Sequence, residues 1–447
     1  MPARRRRTPP DRPTGLDGLL RAKRFCRLPE PRLLCRPNIR KFIVAPPFCV
    51  TKGGIGGGRG HSWQDFRSSC AEMKSDEKKK LPRRAGHVPA LHSLALELER
   101  HTLSALGALS SGDRLAHPAA YGESSSSSSF AARGMSPKKE HEVEAMAELV
   151  ASLAQRLGVL HLLDLGSGKG YLAARLCGPP HALQVLAVDS SEARNHSARE
   201  RAAKMLCAER LQTLTASVDD QFDMDAVLHG NDGRLLVCGL HTCGELGPSA
   251  LRLAVRGAPR VRGLCLVGCC YHLLERGFPM SKELGARGCR DPGRNARMLA
   301  AQCADRRQET SDTLFWRALL QLMLTDEERE SGKRVGRLTV AGSFADYAQQ
   351  ALRRLGRDVV DESAFRAQAE CLECEYAGEQ RRRLSAFHRL RIAWAGCIEA
   401  LLLLDRLVFL LEQWPTVEEA HIVRLFDPTL SPRCHALVAL MHHVGQD

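Results

Sequence analysis

Residues 162–172 read L-L-D-L-G-S-G-K-G-Y-L, and the spacing of their glycines decides the fold. Apolar residues run into Asp164, glycines follow at 166, 168 and 170, and a helical apolar pattern starts at once. A strand, a tight glycine turn and a helix N-terminus let backbone approach a nucleoside cofactor closely. A dinucleotide-binding turn needs G-x-G-x-x-G, with its third glycine at position 171, where this chain has Tyr171. G-x-G-x-G behind an acidic residue instead resembles a turn that binds S-adenosylmethionine, a resemblance that implies Asp164, Gly166, Ser167, Gly168 and Gly170 as the residues to hold its methionine and ribose end. A second apolar run, 183–188, ends in Asp189, one strand–helix–strand unit further on. A carboxylate there can accept from both ribose hydroxyls.

The chain around this stretch alternates strands and helices. Ser136 is placed to cap a helix, with Pro137 tolerated at its first position. Val143, Met146, Leu149, Val150, Leu153 and Leu157 then recur at helical spacing until Gly158. Strands are expected at 159–165, 183–188, 211–215, 234–240 and 263–268, with helices between them. Near the C-terminus, 420–426 and 433–441 are apolar strand candidates joined by D-P-T-L-S-P. This alternation predicts an α/β fold. A mostly parallel seven-stranded sheet is expected, with an antiparallel last strand and a helical insertion.

Residues 1–87 are a basic segment whose composition cannot bury a core and is read as disordered. Residues 88–123 are a leucine-rich helical segment, and 124–134 a serine-rich linker. Residues 135–275 form the cofactor-binding core, 276–415 a mostly helical insertion or lid, and 416–447 the closing hairpin.

Charge and cysteine usage narrow the partners. The net charge of +14 invites a nucleic-acid reading. Residues 1–100, however, hold 23 Lys and Arg against 9 Asp and Glu, so the whole excess falls there and the core is neutral. The 17 cysteines are scattered rather than arranged as a short disulfide framework, and no signal-peptide pattern precedes them. Reduced thiols in an intracellular protein are therefore expected, cytoplasmic or nuclear. The arginines up to Lys41 leave a mitochondrial presequence as the alternative. The one C-x-x-C, Cys371 and Cys374, has no second pair at zinc-finger spacing, so no metal site is expected. No membrane span is expected either, because the most apolar run, 398–411, contains Glu399, Asp405 and Arg406.

In open α/β sheets the ligand lies at the carboxyl ends of the strands. The fourth core strand ends in G-L-H-T-C-G-E-L (239–246) and the fifth in G-C-C-Y-H-L-L (268–274). Methyl transfer requires a positioned nucleophile and a destination for its proton. His241, Cys243 and Tyr271 are the catalytic candidates: a base or orienter, a nucleophile, and a ring to stack on a base or on adenine. Asp219 or Asp220 is expected near the adenine. An Asn/Asp-Pro-Pro-Tyr element, which amino-methylating enzymes use to hold the exocyclic amine of adenine, is replaced here by His241–Gly244.

Taken in order, M-S-P-K-K-E-H-E-V (135–143), the glycine turn, L-H-T-C-G-E-L, C-C-Y-H-L-L, G-F-P-M-S (277–281) and R-L-F-D-P-T-L-S-P (424–432) resemble the methyltransferase-like protein 25 family. The likeness covers roughly residues 90–447 and is strongest to the family's shorter member. It implies a class I S-adenosylmethionine (SAM) methyltransferase with a Rossmann-like fold. The paired H-x-C-G and C-C-Y signatures are also similar to a tRNA 2′-O-methyltransferase family, which implies RNA as a substrate by analogy alone. Lys138, Lys139 and His141 belong to the same pattern and would contact a phosphate or the cofactor carboxylate, or simply start a helix. A non-catalytic scaffold and a protein methyltransferase remain the competing functions. Protein partners are not indicated.

Overall fold

The structure, a computed structural model, describes residues 94, 96–111, 135–224, 233–302, 312–331, 335, 336, 338 and 342–441. The whole of the basic N-terminal segment (1–87) and of the serine-rich linker (124–134) lies outside the described residues. The strands are β1 (Leu109–Ser110), β2 (His161–Leu165), β3 (Gln184–Asp189), β4 (Leu211–Thr215), β5 (Leu235–Thr242), β6 (Val261–Gly268), β7 (Val417–Arg424) and β8 (His435–Met441). They form one eight-stranded sheet in the order β1-β7-β8-β6-β5-β2-β3-β4. Strands β4, β3, β2, β5 and β6 run parallel, while β8 is antiparallel to both β6 and β7. The expected seven strands are all present. The eighth, β1, pairs in parallel with β7 at the sheet edge, within the segment expected to be wholly helical. Two residues are too few to carry a period-two pattern, and the helical leucine spacing around them hides the strand.

Parallel strands buried on both faces read as near-continuous apolar runs, and β6 is buried along its whole length. Helix α1 (Pro137–Leu157) covers one face. Ser136 caps it by accepting from Lys139 N–H, and Gly158 ends it in the left-handed region. Its core-facing Val143, Met146, Val150 and Leu153 are all at most 1% exposed. Each side chain of this kind contributes about 1.5–3 kcal/mol when fully buried. Helices α2 (Tyr171–Cys177), α3 (Glu192–Lys204) and α4 (Leu246–Arg256) follow β2, β3 and β5, as crossovers between parallel strands require.

Two compact units divide the chain: one takes in Leu96–Asp305 and Trp394–Asp447, the other Arg306–Ala393. The compact helical unit is thus narrower than the insertion expected over 276–415. Helices α5 (Lys282–Ala286) and α6 (Arg294–Ala300) fall in the same unit as the sheet. Within the smaller unit, α7 (Asp312–Met323), α9 (Phe344–Leu355) and α10 (Glu362–Tyr376) supply a separate core around Phe315, Trp316, Phe344 and Tyr347, whereas α8 (Asp326–Glu330) buries none of its residues. The long helix α11 (Glu379–Gln413) ends in the larger unit.

The charges inside the apolar run of α11 are buried and satisfied. The Asp405 carboxylate accepts from Met280 N–H (2.7 Å), Ser281 N–H (2.9 Å) and the Ser281 hydroxyl (2.7 Å). Arg406 lies over the Tyr271 ring, and Glu399 contacts His435 Nδ1 at 3.2 Å. A buried charge is tolerable only when paired in this way. Among the described residues, no helix is long and apolar enough to cross a membrane.

Candidate active site

The carboxyl ends of β2 and β3 meet at the glycine turn. Gly166, Gly168 and Gly170 all have positive φ, the left-handed region that costs L-residues strain. Gly170 is doubly constrained: a Cβ there would lie 2.4 Å from the Ala198 Cβ on α3. At the end of β3, one Asp189 oxygen accepts from Gly168 N–H (3.0 Å) and the other from Ser191 N–H (2.9 Å). Backbone amides therefore hold Asp189 at the position expected to meet the ribose. A carboxylate offers about four lone-pair sites, which leaves capacity for hydroxyl donors.

Asp164 is only 1% exposed and lies between Ala187 of β3 and Cys238 of β5. Burial raises its pKa and the Asp189 charge adds to this; Lys139 opposes both, and the carboxyl settles at about 7. Lys139 is itself pushed down by burial, against the pull of Glu142 and Asp164. Asp164 Oδ2 and Ser167 Oγ are buried without a hydrogen-bond partner. A buried orphan acceptor beside a glycine turn suits a cationic, hydrogen-bonding ligand end, so these residues fit S-adenosylmethionine.

Asp219 and Asp220 stand outside this cluster of bonds. Both are exposed; Asp219 accepts from Gln221 N–H (2.9 Å), and Asp220 pairs with Arg252 at 2.5 Å. Nothing in their contacts directs either carboxylate toward the glycine turn.

The other half of the edge is built at the ends of β5 and β6. His241 has φ 69°, a left-handed conformation uncommon for a non-glycine residue, and the pairing of β5 with β6 slips between Leu240 and Thr242. Backbone strain of this kind costs about 1–3 kcal/mol and persists where the surroundings enforce it. Here Glu142 of α1 does so: His241 Nε2 lies 2.9 Å from Glu142 Oε2. The Ser431 hydroxyl donates to Glu142 Oε1 (2.7 Å), and Lys138 Nζ is 3.2 Å from that same oxygen. Burial alone would raise the Glu142 carboxyl, but the bonds from His241 and Ser431 outweigh it and bring the pKa down to about 2. The Glu142 side chain is 2% exposed, whereas that of His241 is 23% exposed and reaches solvent.

Cys243 lies beside Cys269 and Cys270, their three sulfurs all within 4.8 Å of one another. A hydrogen bond from Cys269 lowers the Cys243 thiol against the opposing effect of burial. Cys270, His241 and Arg433 lower it further, to about 6. Cys269 is raised in return, chiefly because it donates to Cys243.

Tyr271 requires a correction. Its ring is 2% exposed in the short turn Tyr271–Leu273, under the Arg406 guanidinium, with its hydroxyl 3.5 Å from Glu399. Burial drives its pKa well above 10. In this position it packs the rear of the β6 end and cannot stack on a substrate base. Lys138 pairs with Glu142, and His141 Nε2 accepts from Asp427 N–H (3.0 Å), so both act within the protein. Sequence reasoning missed Glu142 and Ser431 as site residues, although both belong to the ordered motifs quoted above. It also missed Glu245, which anchors the loop after β6 by accepting from Arg276 (2.9 Å) and Gly277 (3.1 Å) N–H.

The strand order, with its antiparallel β8 inserted between β6 and β7, and the acidic glycine turn define a class I methyltransferase domain that depends on S-adenosylmethionine. Residues 138–277 match a family described as Methyltransferase domain. The chain is similar to "Probable methyltransferase-like protein 25" of Homo sapiens, 28% identical over 458 residues, spanning 68% of this chain and 74% of that protein. The Mus musculus protein of that name is 28% identical over 456 residues, spanning 68% and 75%. The resemblance read from the motifs thus extends over two thirds of the chain. Solved neighbours include M. capricolum TrmK in complex with S-adenosyl-homocysteine, 14% identical with a TM-score of 0.22, covering 27% of this chain and 50% of that one. The O-methyltransferase TomG from Streptomyces achromogenes, in complex with SAM, is 14% identical with a TM-score of 0.23, covering 30% and 66%. The fold assignment rests on the strand order and the domain match, not on these distant neighbours.

Proposed function

We propose that the protein methylates a hydroxyl group of RNA, with His241 as the general base. The observation that carries this reading is the His241–Glu142 contact of 2.9 Å at the strained end of β5. S-adenosylmethionine supplies an electrophilic methyl group. A hydroxyl acceptor must lose its proton as its oxygen bonds to that methyl, and an imidazole is suited to take it near neutral pH. With Nε2 turned to Glu142, the Nδ1 of His241 is the atom left to accept the proton. The buried carboxylate fixes the ring and stabilises the imidazolium that results. Asp189 holds the ribose hydroxyls and Asp164 the amino end. The missing Asn/Asp-Pro-Pro-Tyr element, replaced at 241–244, favours oxygen over the amine of adenine. RNA is supported by the similarity of the H-x-C-G and C-C-Y signatures to a tRNA 2′-O-methyltransferase family.

The test is incubation of the full chain with S-adenosylmethionine tritiated at the methyl group and separate pools of RNA and protein. Label in RNA that survives alkali as a 2′-O-methylated dinucleotide is the expected result. Label in protein alone would instead support a protein methyltransferase. Bound cofactor with no transfer to either pool would support the scaffold.

A further inference from the structure

The sulfurs of Cys243, Cys269 and Cys270 form a cluster that methyl transfer does not need. Cys243 follows the end of β5, and Cys269 and Cys270 follow the end of β6, where Thr242 and Gly268 pair across the two strands. All three sulfurs lie within 4.8 Å of one another, and the Cys269–Cys270 separation is 3.6 Å. Zinc–sulfur bonds of about 2.3 Å in tetrahedral geometry place their sulfurs roughly 3.8 Å apart. The cluster is thus already near the required spacing. Cys269 is 3% exposed while Cys243 and Cys270 are half-buried, which gives a sheltered site with a way in.

We infer that Cys243, Cys269 and Cys270 bind one zinc ion as thiolates, with a solvent or acceptor oxygen in the fourth position. Three sulfur ligands select a soft or borderline cation over magnesium or calcium. Three thiolates on a divalent ion leave one net negative charge, and Arg433 and Lys139 both act on this cluster as neighbouring cations. His241 stays outside the trio, with Nε2 on Glu142. Such an ion would tie the ends of β5 and β6 together, and the site stands whether or not the acceptor is RNA. The exposed Cys371 and Cys374 of α10 serve as the internal control.

The experiment is elemental analysis of the full chain purified under reducing conditions without chelator, alongside Cys243→Ser, Cys269→Ser, Cys270→Ser and the double variant Cys371→Ser/Cys374→Ser. About one zinc per chain is expected in the wild type and the double variant, falling more than about tenfold in each single variant. Cobalt(II) added to the metal-free chain should give thiolate charge-transfer absorption, and Cys270→Ser, at the half-buried position, should lose it while keeping a native circular dichroism spectrum. A well-folded wild type without metal that takes up neither zinc nor cobalt would overturn the inference. So would zinc that leaves with Cys371 and Cys374, or a Cys269–Cys270 disulfide in the reduced preparation. Because metal content is read without any methyl transfer, this outcome is independent of the proposed reaction.

Discussion

At the ends of β2 and β3, side chains are positioned by backbone; at the ends of β5 and β6, backbone is positioned by side chains. Asp189 takes its place from the amide of Gly168 in the glycine turn and that of Ser191 just past the end of β3. His241 is held in a strained conformation by Glu142, and Glu142 by Ser431, so three distant segments converge on one ring. The first arrangement suits a ligand common to a whole fold. The second suits an acceptor that differs from enzyme to enzyme, because its parts can be exchanged without disturbing the turn.

The sharpest way to break this comparison is to disable each half separately. His241→Gln should lower methyl transfer by about 10²–10⁴-fold, the usual contribution of a general base, while S-adenosylmethionine binding stays within about twofold. Asp189→Ala should do the converse, weakening cofactor binding at least about tenfold, or ~1.4 kcal/mol. Calorimetry on the full chain together with initial rates separates the two; equal losses of binding in both variants would sink the division. Next in size, Gly170→Ala places a methyl group against Ala198 in a left-handed backbone and should destabilise the protein by about 1–3 kcal/mol in denaturant titration. An unchanged midpoint would show that α2 and α3 can part at no cost.

The smallest effect is confined to acid. The Glu142 carboxyl is lowered from 4.5 to about 2, so its stabilisation is fully present above pH 4.5 and is lost as pH falls toward 2. Thermal melts of the wild type should lose stability across that window, and Glu142→Gln should flatten part of the slope. An identical acid limb in the variant would mean that other carboxylates carry it.

Much of the cofactor half was legible because its information is local. Asp164, three alternate glycines and Asp189 sit within 26 consecutive residues, and a turn that demands left-handed backbone has few sequence solutions. The acceptor half was legible only as a place. His241 and Cys243 could be picked out because they end a strand, but the partner of His241 lies 99 residues away and Ser431 lies 289 residues from Glu142. No local period encodes such a contact. The sulfur cluster was invisible for the same reason: metal-site rules read close pairs, and 243 joins 269 and 270 only through strand pairing. Tyr271 misled because a polar ring at a strand end reads as a site residue, whereas the turn after β6 points it inward, toward Glu399 and Arg406. The edge strand β1 shows the opposite limit, a real element too short to have a pattern.

Helix α11 acts on this picture as a keyed shaft. Asp405 engages the 280–281 amides, Arg406 lies over Tyr271, and Glu399 grips His435 on β8, so three teeth are cut into the otherwise apolar stretch 398–411. A greasy helix can slide or turn by one residue at little cost, since one leucine replaces another. Each tooth forbids this, because a slip of one residue, about 100° of rotation, would strand three charges away from their sockets. The back of the β6 end therefore takes its alignment from a part some 130 residues further along the chain, keyed to meet it in only one way.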